Sequence, residues 1–332
     1  MIGGEPYDIK NYENGIIKIN NTYIYVKNNK QVSNKDLKRI KKLKIPPSWT
    51  DIWISINPQS DIQALGTDLS GRKQYKYNEK YVKQSEKKKF IRLYKFVKKL
   101  PKLISTLKRH SHLNPYNKNS VISTMLQIVK ELYIRVGKEK YAKENKSYGI
   151  SSLKKQHIKL NGNTLILRFK GKSHQQLYYT LDNKNISNHI QQLLKLKGDK
   201  IFQYLDEFGN IHKITDTDLN QYIQHYMGSE FTVKDFRTYG ANFYFIKFII
   251  NETKKRSPSN SKIIKKNIVN AIKLTAHSLR HTKNISKKSY IMTFCIDYYI
   301  HNPYFFVARK FDDPNDVLTE LLKMYIKKIK KN

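Results

Sequence analysis

The chain of 332 residues contains one cysteine, Cys295. That excludes an internal disulfide and any zinc site built on thiolates, and its place on an apolar helical stripe makes Cys295 a small buried hydrophobe. Acid is scarce, with 26 Asp and Glu against 64 Lys and Arg, a formal net charge of +38 spread along the whole length. No carboxylate cluster with metal-ligand spacing appears, so nothing points to two-metal chemistry, to a bound metal or to another cofactor. Long apolar runs are missing too. None approaches the length of a bilayer span, and the opening Met1-Ile-Gly-Gly-Glu-Pro6 has no signal-peptide core, so a soluble intracellular protein without a membrane segment is expected.

What is present is 39% hydrophobic and 12% aromatic, enough for packed cores and too much for a disordered basic tail. A positive field of this size favours a polyanion, with nucleic acid the first partner and a membrane surface the second. Lys, Asn, Ile and Tyr are abundant, which fits an AT-rich genome.

Residues 16–26 read as a hairpin turned at Asn20-Asn21. Ser33, with Asp36 three residues on, reads as an N-cap opening a short basic helix through Lys42. After Pro46-Pro47, a second hairpin runs over 52–56 and 62–66. Residues 78–89 are polar and basic with no strong period, which suggests a linker. Beyond it, Phe90, Leu93, Tyr94, Val97 and Leu100 share a helical face, and a second helix over 120–136 ends at Arg135, with Gly137 as its stop. From His157 to Leu181 the period changes to two, with turns at Asn161-Gly162 and Gly171-Lys172-Ser173, so a three-stranded sheet presents Lys172 on its second turn. The rest is helical over 185–195, 216–227, 234–250 and 260–278, with a solvated loop at 251–261 and a Lys-rich amphipathic tail from Lys323. The fold class is α+β: a small β-rich N-terminal domain, 1–82, and a mostly helical catalytic domain, 83–332, carrying a three-stranded antiparallel sheet.

The stretch His281-Thr-Lys-Asn-Ile-Ser-Lys-Lys-Ser-Tyr290 organises the remainder. Nine residues of unbroken helix would turn His281 and Tyr290 to opposite faces. Ser286 is expected to break it as the N-cap of a new helix, with Ile291, Phe294, Cys295 and Tyr298 buried and Tyr290 off that stripe. Lys287 lies one turn before Tyr290 near the helix N-terminus, where a phosphate could be received. A tyrosine near a histidine is ordinary in a chain with 24 tyrosines, and a turn lysine such as Lys172 is ordinary as well. Together, Arg135, Lys172, Arg237, His281 and Tyr290 supply the parts of a metal-free transesterification at a phosphodiester. The phenol attacks, two arginines and a histidine hold the non-bridging oxygens, and a lysine protonates the departing 5′ oxygen.

At these residues the sequence resembles the small type IB DNA topoisomerases of poxviruses, other large DNA viruses and some bacteria. Ile45-Pro-Pro-Ser-Trp-Thr-Asp-Ile-Trp-Ile54, Ile62-Gln-Ala-Leu-Gly-Thr-Asp68 and Gly71-Arg-Lys-Gln-Tyr-Lys-Tyr77 are similar to that family's N-terminal domain. Ile134-Arg-Val-Gly-Lys-Glu-Lys-Tyr-Ala-Lys-Glu-Asn145, Phe169-Lys-Gly-Lys172, Lys234-Asp-Phe-Arg-Thr-Tyr-Gly240 and the His281–Tyr290 block are similar to its catalytic blocks. The resemblance implies a tyrosine recombinase/topoisomerase IB-like fold, with Tyr290 as nucleophile, Lys172 as general acid, and Arg135, Arg237 and His281 on the phosphate. It also implies double-stranded DNA as partner, contacted by Arg72, Gln74, Tyr75, Tyr77, Lys138, Lys140, Tyr141, Lys234 and Lys287, with a monomer clamped around the duplex. A viral source follows as an expectation, in the virion or the host-cell cytoplasm. One departure is Leu279-Arg280, which puts a bulky cation where the family usually has a small residue before the histidine.

Two rival readings use the same residues differently. A tyrosine recombinase shares the chemistry, and His277-Ser-Leu-Arg280 even spells its His-x-x-Arg box, but Arg280 stands only ten residues before Tyr290, where recombinases leave about thirty. A non-enzymatic basic DNA-binding protein would explain the charge and leave the catalytic blocks unexplained.

Overall fold

The computed structural model describes residues 14–309, 311 and 313–331; the N-terminal stretch read for a signal peptide lies outside them. The chain divides into two compact units, Met1–Lys89 and Phe90–Asn332.

In the first unit, β1 (Gly15–Ile19) and β2 (Thr22–Tyr25) form the expected hairpin. Asn20 and Asn21 both take positive φ, 45° and 66°, the conformation a two-residue hairpin turn needs and asparagine tolerates. Helix α1 (Asn34–Leu43) is capped by Ser33, whose Oγ accepts from Asp36 N–H at 3.1 Å. Strands β3 (Thr50–Ser55), β4 (Ile62–Thr67) and β5 (Lys73–Tyr77) complete an antiparallel sheet of order β2-β1-β3-β4-β5. One face of the sheet and α1 enclose a small core of Ile16, Val32, Ile40, Ile52, Ile54 and Ala64. The polar stretch 78–89 is helical: it forms the first turns of the 32-residue helix α2 (Glu79–His110). Its charged residues hid a helix whose apolar stripe begins only at Phe90.

The second unit is built on α3 (Lys118–Leu132), which is buried from Ser120 to Leu126 and again at Ile128 and Val129. A helix apolar on most of its surface belongs inside. It ends at Leu132, with Tyr133 as left-handed C-cap (φ 48°), so Arg135 follows the helix in an extended segment and Gly137 is not its stop. After α4 (Glu139–Asn145), strands β6 (Ile158–Asn161), β7 (Thr164–Lys170) and β8 (Gln176–Asp182) make the three-stranded antiparallel sheet. Asn161 pairs with Thr164, so the first turn is Gly162-Asn163, one residue later than expected. Helix α5 (Lys184–Leu193), the small hairpin β9 (Gln203–Leu205) and β10 (Ile211–Lys213), and α6 (Asp216–Met227) follow.

Helix α7 (Lys234–Lys255) packs on α8 (Ser261–Ser278) and on α11 (Pro314–Lys331). It runs five residues past its expected end, into the stretch read as a solvated loop. Buried groups hold this last turn in place: Arg256 pairs with Glu252, and Thr253 Oγ1 lies 2.7 Å from the hydroxyl of the fully buried Tyr299. Between α8 and α11 stand a one-turn helix α9 (Lys283–Ile285) and α10 (Thr293–His301). The Lys-rich tail is the end of α11, whose Val317, Leu318, Leu321 and Leu322 are buried. Among the described residues, no helix is long and apolar enough to cross a membrane.

Candidate active site

Arg237 is the centre of the site. It sits in the first turn of α7, only 3% exposed. The start of that helix is fixed by Asp235, whose carboxylate accepts from Thr232 N–H at 2.8 Å and pairs with Arg92 of α2. From there the guanidinium donates to the carbonyls of Tyr133 and Leu279, the latter at 2.9 Å, and to Nε2 of His281. Gly240, one turn on, makes this approach possible. A Cβ there would lie 2.5 Å from the Tyr133 ring, which packs directly on the helix backbone. Burial, and then the neighbouring Arg135, hold the Arg237 pKa below the usual guanidinium range; Tyr290 and Tyr179 pull the other way. Arg237 Nε is buried and has no acceptor among the described residues.

His281 is delivered by the end of α8. The His281 N–H bonds Ala276 C=O at 2.8 Å and the Arg280 N–H bonds His277 C=O at 3.1 Å, the paired bonds of a Schellman turn. A guanidinium can only donate, so Nε2 of His281 is the acceptor and the ring proton sits on Nδ1, 3.4 Å from Ser286 Oγ. Burial, and then the charges of Arg237, Arg135 and Lys172, push the His281 pKa down to about 3.

The imidazole and the Tyr290 ring lie 4.5 Å apart between centroids, at 30°. Ser286 is not the cap that achieves this. Thr282 caps α9, its side chain accepting from Ile285 N–H. Residues Ser286–Tyr290 form a π-helical turn closed by Ile291 N–H to Ser286 C=O at 2.9 Å. The wider turn rotates Tyr290 back toward His281, and π turns concentrate at functional sites for this kind of reason. The chain breaks only after Tyr290, so the buried stripe of the last segment is Ile291, Met292, Cys295, Ile296 and Tyr299, with Phe294 and Tyr298 half-buried. Asn242, fully buried on α7, brackets the break. It donates to Tyr290 C=O at 3.0 Å and accepts from Met292 N–H at 2.8 Å.

Arg135 lies in the extended segment after α3, which runs against residues 149–152. Arg135 C=O accepts from Ile150 N–H at 2.9 Å, and a Cβ on Gly137 would meet Gly149 N at 2.6 Å, so two glycines face each other there. Lys172 is exposed in the loop between β7 and β8, which is closed by Gly171 N–H to Gln175 C=O at 2.8 Å and turned by positive φ at Ser173 and His174.

Sequence reasoning missed Asn242 and Tyr179 as parts of this site, and it noted Arg280 only as a bulky cation before the histidine. Burial raises the pKa of Tyr179 on β8, and Arg237, Arg135 and Arg280 together offset only part of that rise. The inward alternation of β8 through Leu177 and Tyr179 was the available signal. For Asn242 there was none, since its partners are about fifty residues away.

Around the site, Lys138 is the N-cap position of α4 and is exposed. Lys140 and the half-exposed Tyr141 lie in its first turn, with Lys140 3.9 Å from Glu144. Lys234 is the exposed first residue of α7, and Lys287 is exposed on the π turn. In the first unit, Tyr75 and Tyr77 project from one face of β5 and stack at 6.0 Å. Gln74 points to the other face and donates to Asp68 at 2.8 Å, and Arg72 is exposed on the β4–β5 turn. Among the described residues, no group of three His, Cys, Asp or Glu is placed to hold a metal ion.

The model of the eukaryotic DNA topoisomerase I catalytic core matches residues 72–294, and that of the bacterial DNA topoisomerase IB N-terminal domain matches residues 22–68. DNA topoisomerase 1B of Acanthamoeba polyphaga mimivirus is 52% identical over 331 residues, covering 97% of this chain and 98% of the relative. DNA topoisomerase 1B of vaccinia virus (strain Copenhagen) is 30% identical over 264 residues, 76% of this chain and 79% of the relative. Among solved structures, the XerH site-specific recombinase bound to difH substrate aligns with a TM-score of 0.34 and 15% identity over 57% of this chain and 48% of that one. The chain belongs to the type IB DNA topoisomerases. It is thus an isomerase acting on DNA, and neither the recombinase nor the non-enzymatic reading is favoured.

Proposed function

We propose that the protein relaxes supercoiled DNA with Tyr290 as nucleophile. The Tyr290 phenol gives its proton to solvent as its oxygen attacks a backbone phosphorus, the bond to the 5′ oxygen breaks, and the 3′ phosphate stays on Tyr290 while the free 5′-OH end rotates; religation reverses the step. Arg135 and Arg237 hold the non-bridging oxygens as charge builds on them, and His281 joins them with its ring proton on Nε2 once phosphate has replaced that nitrogen as the acceptor for Arg237. Lys172 protonates the departing 5′ oxygen. The observation that carries this reading is the convergence of a buried arginine, a neutral imidazole and a phenol, with a second arginine and a loop lysine close enough to depress the imidazole. A phosphate oxygen is a better acceptor than imidazole and would also give Arg237 Nε the partner it lacks.

Lys138, Lys140, Lys234, Lys287 and Arg72 neutralise phosphates, while Gln74, Tyr75, Tyr77 and Tyr141 meet bases and sugars. The enzyme acts as a monomer clamped on the duplex, and its viral relatives support a viral origin. Because side chains fill every catalytic role, relaxation needs neither nucleotide nor added metal and persists in excess EDTA. Tyr290→Phe tests the assignment. Relaxation and the covalent adduct should vanish while salt-sensitive DNA binding remains, and residual relaxation above a few per cent would move the nucleophile to another tyrosine.

A further inference from the structure

Arg280 occupies the left-handed position of the Schellman turn that ends α8, with φ 53°. Glycine is the usual residue at such a position, because an L side chain there is strained, and strain of this kind is kept where the surroundings over-determine it. The side chain of Arg280 has defined partners. Its Nη2 donates to Tyr178 C=O at 3.2 Å, and the guanidinium centre lies 5.7 Å from the Tyr179 ring centroid. Both partners are on β8, the strand that leaves the Lys172 loop. Tyr178 pairs with Arg168 and Gln176 with Lys170, so the anchor is two residues from the end of the ladder that closes on that loop. On its other side, Arg280 is joined through the backbone to His281 and to Leu279, whose carbonyl accepts from Arg237.

We propose that Arg280 is a positioning residue that ties the Lys172 hairpin to the His281 turn and so fixes where the general acid stands relative to the nucleophile and the phosphate-binding groups. The proposal rests on the reading of Lys172 as general acid given above. The chain carries a strained arginine at this cap because the guanidinium bridges two elements that bear opposite halves of the chemistry. A glycine would relax the turn and lose the bridge.

The test is single-turnover cleavage by Arg280→Ala, Arg280→Gly, Lys172→Ala and the Lys172→Ala/Arg280→Ala double variant. The substrates are an ordinary DNA duplex and one whose bridging 5′ oxygen is replaced by sulfur, which leaves as a thiolate without needing a proton. On ordinary DNA, Arg280→Ala should cleave on the order of tenfold to a hundredfold more slowly, the scale of misplacing a catalytic group, with unchanged DNA affinity and melting temperature. Arg280→Gly should be as slow, showing that the guanidinium and not the strain matters. The double variant should be no slower than Lys172→Ala alone, and most of the loss in Arg280→Ala should disappear on the sulfur substrate. Multiplicative slowing in the double variant overturns the proposal. Weakened DNA binding by Arg280→Ala also overturns it and makes Arg280 a direct phosphate contact. If Lys172→Ala itself shows no recovery on the sulfur substrate, the general-acid reading fails, and the double variant still decides whether Arg280 acts through Lys172.

Discussion

Arg237 and His281 each lose hydration on folding, and burial with the neighbouring cations lowers both pKa values from very different starting points. The guanidinium stays protonated at neutral pH, whereas the imidazole, surrounded by Arg237, Arg135 and Lys172, is neutral. In the free protein the His281 ring signals should therefore not titrate between pH 8 and pH 5 in an NMR experiment. A midpoint near 6.5 would mean that the ring is neither buried nor faced by the three cations. Asn242 matters through geometry. Its amide holds the Tyr290 carbonyl and the Met292 amide on either side of the chain break. Asn242→Ala should slow adduct formation by roughly a hundredfold, the cost typical of misplacing a reacting group by about 1 Å, while DNA binding is kept. Adduct formation at the wild-type rate would show that the π turn is self-sufficient. The five candidate side chains could be named from the sequence because they fall in blocks that resemble those of the family. The bracket by Asn242 could not, because it joins residues 48 and 50 positions apart.

At the level of elements, helix ends set the site. Tyr133 ends α3, Leu279-Arg280 ends α8, and the first turn of α7 carries Arg237 into the gap between their carbonyls. The close packing of Tyr133 on Gly240 fixes the α3 end against α7. Gly240→Ala would place a methyl carbon 2.5 Å from the Tyr133 ring, so it should destabilise the protein by about 1–3 kcal/mol through overpacking and slow cleavage by displacing the Tyr133 carbonyl from Arg237. Urea midpoints and cleavage rates check both effects, and a wild-type midpoint would contradict the packing account. The hairpins were readable from period-two patterns and asparagine turns. The Ser33 cap and the bounds of α6 were readable as well, but the helix ends at the site were not: Ser286 looks like a cap locally, and it is Thr282 that caps α9 while Ser286 opens the π turn.

For the whole molecule, net charge and buried histidines govern the response to solution conditions. With +38 formal charge, DNA binding should weaken steeply with salt, and Lys138→Ala should reduce the slope of log affinity against log salt by about one. An unchanged slope would remove Lys138 from the phosphate contacts. His281, His110, His157 and His189 all have pKa values lowered mainly by burial. Each folded-state value lies below the unfolded one, so the unfolded chain binds more protons as the pH falls. Stability should be full above about pH 6.5 and drop progressively below it. Urea unfolding at pH 7.5 and pH 5.0 measures this directly, and equal midpoints would mean that these rings are hydrated.

By itself the sequence determined the polyanion-seeking charge, the two hairpin systems, the amphipathic faces of the long helices and the candidate groups for the proposed phosphodiester chemistry. These depend on composition and on spacing of a few residues, which are local properties. The tertiary structure decided where the chain stops being regular. It extended α7 through Thr253 and Arg256, bent the chain by a π turn so that Tyr290 meets His281, and held Arg280 in a left-handed turn that local preference disfavours. The deciding partners are mostly far along the chain, as with Thr253 and Tyr299 or Arg280 and Tyr178, and no local pattern encodes them.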